Sequence, residues 1–269
     1  MIKYYDGRQT MKQTQDGGNV VLDSSKLQQA QEDNPFIKIT DAVYKILEEA
    51  ILSSKLKPGS RLKINTIAEE LQVSTSPVRE AIEMLSAEGL LIEYQASGGK
   101  YKNYYVFDMA NDDIEALFQA RKSIEGLTAY ICAEENCNID LARLKQCAVN
   151  FGTTLETNVK QLDVATISKA AEFDRGFHNL IVEAANNRYM IEMYGAIAKN
   201  LGYLSIRTCE FVGAEGKNAL HKMASQHISI YNAIKLGFPV FARQEMERHI
   251  DFCAMSCLKN RKWIFRKRK

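Results

Sequence analysis

The sequence predicts a mainly α-helical protein: an N-terminal winged helix-turn-helix followed by a C-terminal antiparallel six-helix bundle. Three observations carry this. Residues 44–92 read as helix, helix, tight turn and helix, with Pro77 in the first turn of the last helix and Gly89 at its end. Two strand-like stretches, Leu90 to Tyr94 and Tyr104 to Phe107, flank a Ser97-Gly98-Gly99-Lys100 turn. From Asp108 to Leu258 apolar residues recur at helical spacing, and the breaks between segments are short.

The elements follow in order. Residues 1–35 are polar, with scattered apolar side chains, and read as a flexible arm. The winged-helix domain spans 36–107. Its first helix runs from about Thr40 to Ser54, with Val43, Ile46, Leu47, Ala50 and Ile51 on one face and Thr40 or Asp41 as cap. Lys57-Pro58-Gly59 breaks the chain. A short second helix fits Thr66 to Leu71, capped by Asn65. Gln72-Val73 form a tight turn. Ser74 or Ser76 caps the third helix, whose buried stripe is Val78, Ala81, Ile82 and Leu85. Arg79 falls off that stripe and points outward. The hairpin adds a wing, and its polar tip, with Gly98 and Lys100, can reach a minor groove or a phosphate.

The second domain spans 108–258. Six helical segments are expected: about Asn111–Asn136, Asp140–Val159, Val164–Asn186, Tyr189–Phe211, Ala214–Leu236 and Pro239–Lys259. Helices of this length joined by short loops make a bundle. The tail 259–269 carries seven Lys and Arg, which suits either a solvated end or an extra contact to an anionic surface.

Composition bounds the function. A chain of 269 residues with 46% hydrophobic content can bury the cores of two domains, and a net charge of +2 excludes a generally polycationic protein. There is no membrane-spanning run and no secretory signal pattern, so a cytoplasmic protein is expected. The six Cys show no CxxC pair and read as reduced, mostly buried thiols.

Residues 36–106 hold nine Lys/Arg and nine Asp/Glu, so the first domain is not basic overall. Its positive charges are clustered, however: Lys55, Lys57, Arg61 and Lys63, then Arg79, then Lys100 and Lys102. That distribution on a helix-turn-helix is the pattern of a reader of double-stranded DNA. A protein–protein module is the plainer alternative.

The chemistry of the second domain sits in its histidines. The chain has four: His178, His221, His227 and His249. Asp174 and His178 are four residues apart in AEFDRGFHNL, so both project from one helix face. His227 and His249 fall on the fifth and sixth helices. One carboxylate and three imidazoles converging in a bundle make a site for a divalent transition metal such as zinc, nickel, manganese or iron. Satisfied core or surface histidines are the plainer reading. His249, Cys253 and Cys257 share a helical stripe, so a thiolate-rich site is a further alternative. A metal-dependent hydrolase would need a general base near a bound water. No HExxH is present, and no Glu stands at a recognisable base spacing. A constitutive DNA-binding protein is the other rival, and it would not need a buried metal pocket.

Two stretches carry a family resemblance. LKPGSRL with IAEELQVSTSPVREAIEMLSAEGLL resembles the winged helix of the GntR family of bacterial transcription regulators. DRGFHNLIVEAANNRYM and SQHISIYNAIKLGFPVFARQEMERHI resemble the helical FCD effector domain of its FadR branch. The resemblance covers about 36–258. It places Arg79 against DNA, with Ser74 and Ser76 near phosphates. The family often has Arg where this chain has Asn65 and Thr75, so the operator is expected to differ. It fills all four family metal positions with Asp174, His178, His227 and His249, and gives His221 no role. It puts Arg121 in the pocket, where it could pair with a small organic acid. A surface ion pair with Glu125 is the alternative. Asn187 matches a structural loop position. Six helices point to the VanR-type subgroup. The implied function is a homodimer on a pseudo-palindromic operator, with no enzyme activity, whose DNA affinity answers to a small carboxylate bound at the metal.

Overall fold

The computed structural model describes residues 22, 24–52, 55–95, 102–107, 111–134, 137–156 and 162–259. The chain divides into two compact units, Met1–Asp108 and Met109–Lys269. Gly98 and Lys100 at the expected wing tip, most of the expected arm, and the basic tail beyond Lys259 lie outside the described residues.

In the first unit, α2 (Ile39–Leu52) buries Val43, Leu47, Ala50 and Ile51 against α4 (Thr75–Ala87), which contributes Val78, Ala81, Ile82 and Leu85. Between them in sequence, α3 (Ile64–Leu71) packs on α4 with Ile67, Ala68 and Leu71 inside. Leu47, Ile51, Leu71, Ile82 and Leu85 are fully buried. Burial of each such side chain is worth roughly 1.5–3 kcal/mol of transfer free energy. The end of α4 is closed by two backbone bonds, Gly89 N–H to Ser86 at 3.2 Å and Leu90 N–H to Leu85 at 2.9 Å. Gly89 sits at φ 78, where a side chain is disfavoured. The end of α3 is closed in the same way, by Gln72 N–H to Glu69 and Val73 N–H to Ala68. Here a glutamine holds the left-handed position, at φ 56.

Three short antiparallel strands follow the order β1-β3-β2: β1 (Arg61–Leu62), β2 (Leu91–Tyr94) and β3 (Asn103–Val106). Leu62 and Glu93 both face Tyr104 across the ladder. The first strand was not expected, because two residues are too few to show a period. It is set by its partners: Gly59 N–H donates to Val106, and Val106 N–H to Ser60, each at 2.9 Å.

Two further expectations are corrected. Asn65 does not cap α3. The helix starts at Ile64, with Lys63 as N-cap, so Asn65 lies within the first turn. The polar segment expected to be an arm carries α1 (Ser25–Asp33), which packs on α2. Leu22 and Leu27 are buried, Leu22 N–H donates to Glu70 at 3.0 Å, and Lys26 pairs with Glu49. A nine-residue helix of this composition is marginal alone, so its docking supplies the stability.

The second unit is an all-helical assembly of α5 (Asn111–Ala133), α6 (Leu141–Glu156), α7 (Val164–Ala184), α8 (Arg188–Ala214), α9 (Lys217–Lys235) and α10 (Pro239–Lys259). α10 lies along α5 and α9, α7 packs between α6 and α8, and α6 also meets α9. Leu144, Phe151, Leu155, Phe177, Ile181, Ile230 and Met246 fill the core. α5 and α10 approach closely at Gly126, where a Cβ would come within 3.0 Å of the Glu247 side chain. Polar caps fix the helix starts. Asp163 accepts from Thr166 N–H at 2.8 Å, and Asn187 accepts from the N–H groups of Tyr189 and Met190. Among the described residues, no helix is long and apolar enough to cross a membrane.

Candidate metal centre and recognition helix

The interior of the second unit brings four chemically active side chains together. Asp174 and His178 project from one face of α7, His227 from α9 and His249 from α10, and all four are buried. One ligand atom from each lies within 4.8 Å of all the others. Asp174 Oδ1 stands 3.2 Å from His227 Nε2 and 3.6 Å from His178 Nε2. These three atoms have no hydrogen-bond partner although they are buried. Such orphaned groups cost about 1–3 kcal/mol each unless something satisfies them. A divalent ion with ligands at about 2.0–2.2 Å suits one carboxylate oxygen and three imidazole nitrogens converging in this way. The residues therefore fit a metal.

The neighbouring groups aim these ligands. Ser205 Oγ on α8 donates to Asp174 Oδ2 at 2.7 Å, which leaves Oδ1 for the centre. Glu125 Oε2 on α5 lies 2.6 Å from His178 Nδ1, and Gln226 Oε1 lies 3.3 Å from His249 Nδ1. With Nδ1 engaged, each ring presents Nε2 inward. Sequence reasoning missed Ser205, Glu125 and Gln226. Only Glu125 carried a signal, its spacing from Arg121.

Arg121 is where the structure departs most from expectation. The ion pair with Glu125 exists, but it is not on the surface: Arg121 is 4% exposed and Glu125 0%. Arg121 Nε donates to Glu125 Oε1 at 2.7 Å and Nη2 to Oε2 at 3.3 Å. Burial pushes the Glu125 carboxyl up, yet Arg121 and His178 outweigh it and hold it down at about 2. Burial likewise opposes charge on His178, but Glu125 and Asp174 raise it to about 9. Burial keeps His227 below the usual histidine range and His249 well below it. Tyr194 on α8 is also buried, and burial and the Glu125 charge push its phenol well up.

The remaining residues are placed as follows. His221 lies apart, 3.5 Å from Glu156. Cys253 Sγ approaches His249 Nε2 at 3.7 Å, but burial pushes its thiol well up, and burial takes Cys257 to about 12. Neither belongs to the converging group of Asp174, His178, His227 and His249. In the first unit, Asn65, Ser74, Thr75, Ser76 and Arg79 are all exposed, the last four at the start of α4. The Ser76 hydroxyl is turned toward Glu80, which also accepts from Thr40 Oγ1 at 2.9 Å. Lys102 at the foot of β3 pairs with Glu93 at 3.1 Å.

Comparison with known proteins agrees with this two-part plan. Residues 39–99 match the family described as bacterial regulatory proteins, gntR family, and residues 116–252, half of the chain, match the FCD domain. The chain belongs to the GntR family of bacterial transcription regulators, with an FCD domain. The HTH-type transcriptional regulator LutR of Bacillus subtilis (strain 168) is 26% identical over 211 residues, 74% of this chain and 92% of LutR. The HTH-type transcriptional repressor RspR of Escherichia coli (strain K12) is 24% identical over 225 residues, 81% of this chain and 88% of RspR. The solved structure of E. coli McbR/YncC shares the fold, with a TM-score of 0.56 at 20% identity, covering 84% of this chain and 99% of that one. This GntR regulator is a DNA-binding protein and not an enzyme, which removes the hydrolase reading.

Proposed function

We propose that this GntR regulator is a cytoplasmic, ligand-responsive homodimer whose operator affinity is set by a small carboxylate bound at a divalent transition metal in the FCD unit. The observation that carries the reading is the buried convergence of Asp174, His178, His227 and His249 in a chain that also holds a winged helix. The metal supplies a Lewis-acidic anchor for an anionic oxygen. Asp174 and the three imidazoles hold it, Ser205, Glu125 and Gln226 orient them, and the surrounding helices exclude water. The arrangement favours an acid over a neutral ligand, because an anion compensates the charge of the ion, while Arg121 is already paired with Glu125. In the winged helix, Arg79 contacts DNA from the start of α4, with Ser74 and Ser76 near phosphates and Asn65 and Thr75 at positions that read bases or backbone. Asn pairs with adenine where Arg favours guanine, so Asn65 shifts the operator away from the family's usual one. A two-fold dimer matches two half-sites of a pseudo-palindrome. Gly98 and Lys100, expected from the sequence in the wing turn, would extend the footprint. The domain limits follow: 36–107 reads DNA and 108–258 senses.

The test is elemental analysis of protein purified without chelator, then a thermal-shift screen of sugar acids, hydroxy acids and dicarboxylates, with hits carried into operator gel shifts. About one divalent metal per chain is expected, together with at least one acid that stabilises wild type more than His249→Ala. Absence of metal after zinc or nickel is supplied overturns the metal reading. Hits that leave operator affinity unchanged overturn the sensor reading and leave a constitutive DNA-binding protein.

A further inference from the structure

Away from the metal centre, the C-terminal turn of α7 gathers two thiols. Cys132 on the last turn of α5 donates from Sγ to the Ile181 carbonyl at 3.2 Å. Cys137, in the segment after α5, donates from Sγ to the Ala184 carbonyl at 3.3 Å. Carbonyls three residues apart share one side of a helix and lie about 5 Å apart, so the two thiols are anchored at neighbouring points on one face of α7. Burial, and then the adjoining Cys137 thiol, push the Cys132 thiol up. Their accessibility differs. Cys132 is 3% exposed. Cys137 is half-buried and lines a cavity of about 470 Å³ with Glu134, Asn138, Glu183 and Asn186.

We propose that Cys132 and Cys137 are a reversible dithiol–disulfide pair, with Cys137 the attacking thiol and Cys132 the resolving one. The oxidant is a small peroxide that enters the cavity. The Cys137 sulfur, as thiolate, attacks one peroxide oxygen; the O–O bond breaks, and hydroxide leaves and takes up a proton as water. The resulting sulfenic acid meets the Cys132 sulfur, the S–S bond forms, and a second water leaves with the Cys132 proton. Two thiols lose two electrons and two protons, and one hydrogen peroxide becomes two waters. Disulfide formation removes both S–H donors from Ile181 and Ala184. Cys209, Cys253 and Cys257 are buried.

The experiment exposes the full chain to hydrogen peroxide, denatures it, and alkylates what thiols remain. Wild type is expected to lose two of its six free thiols and the mass of two hydrogen atoms. Peptide mapping should join Cys132 to Cys137, and dithiothreitol should restore both. Cys132→Ala should form no disulfide and should instead give a dimedone adduct at Cys137. Retention of all the thiols in wild type overturns the proposal, as does a link through any other cysteine. So does a Cys132→Ala protein that still loses two thiols.

Discussion

Arg79 and Glu125 show how differently two charged residues can serve one regulator. Arg79 is exposed at the start of α4, where nothing in its own core needs it. Arg79→Ala should therefore leave the fold and the metal content intact while removing a contact worth about 1–3 kcal/mol per half-site. A gel shift with wild-type affinity would show that α4 does not read the operator through this side chain. Glu125 is fully buried between Arg121 and His178. Glu125→Gln keeps the shape but weakens both contacts, so metal affinity should fall by about 10–100-fold. Competition against a chromophoric chelator reads this directly, with Glu156→Gln, beside His221, as the control expected to change nothing. The Asp174–His178 pair was legible because Asp and His at i, i+4 announce a shared face, whereas the choice of His227 and His249 over His221 came from the family resemblance. The groups that aim the donors were not. Ser205 and Gln226 are ordinary helix residues until the packing of α8 on α7 and of α9 on α10 sets them beside Asp174 and His249.

At the scale of the element, the legible features were those with local causes. Helices α2, α4 and α5–α10 follow from periodicity, and the end of α4 from Gly89; the caps Asp163 and Asn187 emerge only in the structure. What sequence reasoning missed, β1 and α1, has non-local causes: β1 exists through its pairing with β3, and α1 through burial of Leu27 on α2. The caps give quantitative expectations. Asn187 satisfies two N–H groups of α8, so Asn187→Ala should cost about 1 kcal/mol. Gln72 poses the opposite case. A left-handed conformation costs an L-residue roughly 1–2 kcal/mol, and glycine's extra chain entropy recovers about half of that. Gln72→Gly should therefore stabilise the first unit by about 0.5–1 kcal/mol, read from the urea midpoint at unchanged slope. A lower midpoint would mean that the Gln72 side chain makes a contact worth more than the backbone strain it imposes.

For the whole molecule, the question is how an event in the FCD unit reaches an operator bound by the other unit. Thermodynamics sets the requirement. An effector that binds DNA-competent and DNA-incompetent dimers equally shifts nothing, however tightly it binds. A useful regulator needs a coupling of about 1–3 kcal/mol, which is a 5- to 150-fold change in operator affinity. On the proposed function the metal would belong to the native state: Asp174, His178, His227 and His249 come from α7, α9 and α10, three helices that packing alone leaves with orphaned polar atoms. Stripping it with a chelator should lower the melting temperature, and adding zinc back should restore it. The same stripped protein provides the decisive comparison. If an acid acts through the metal, its effect on operator affinity should vanish in stripped wild type and in His249→Ala, and return in the former alone when metal is supplied. Reciprocity adds a check that needs no second variant: operator DNA must change the acid's affinity by the same factor as the acid changes the operator's. Unequal factors would mean that the acid and the operator are not linked through one equilibrium of the dimer, and the metal centre would then serve only to hold the bundle together.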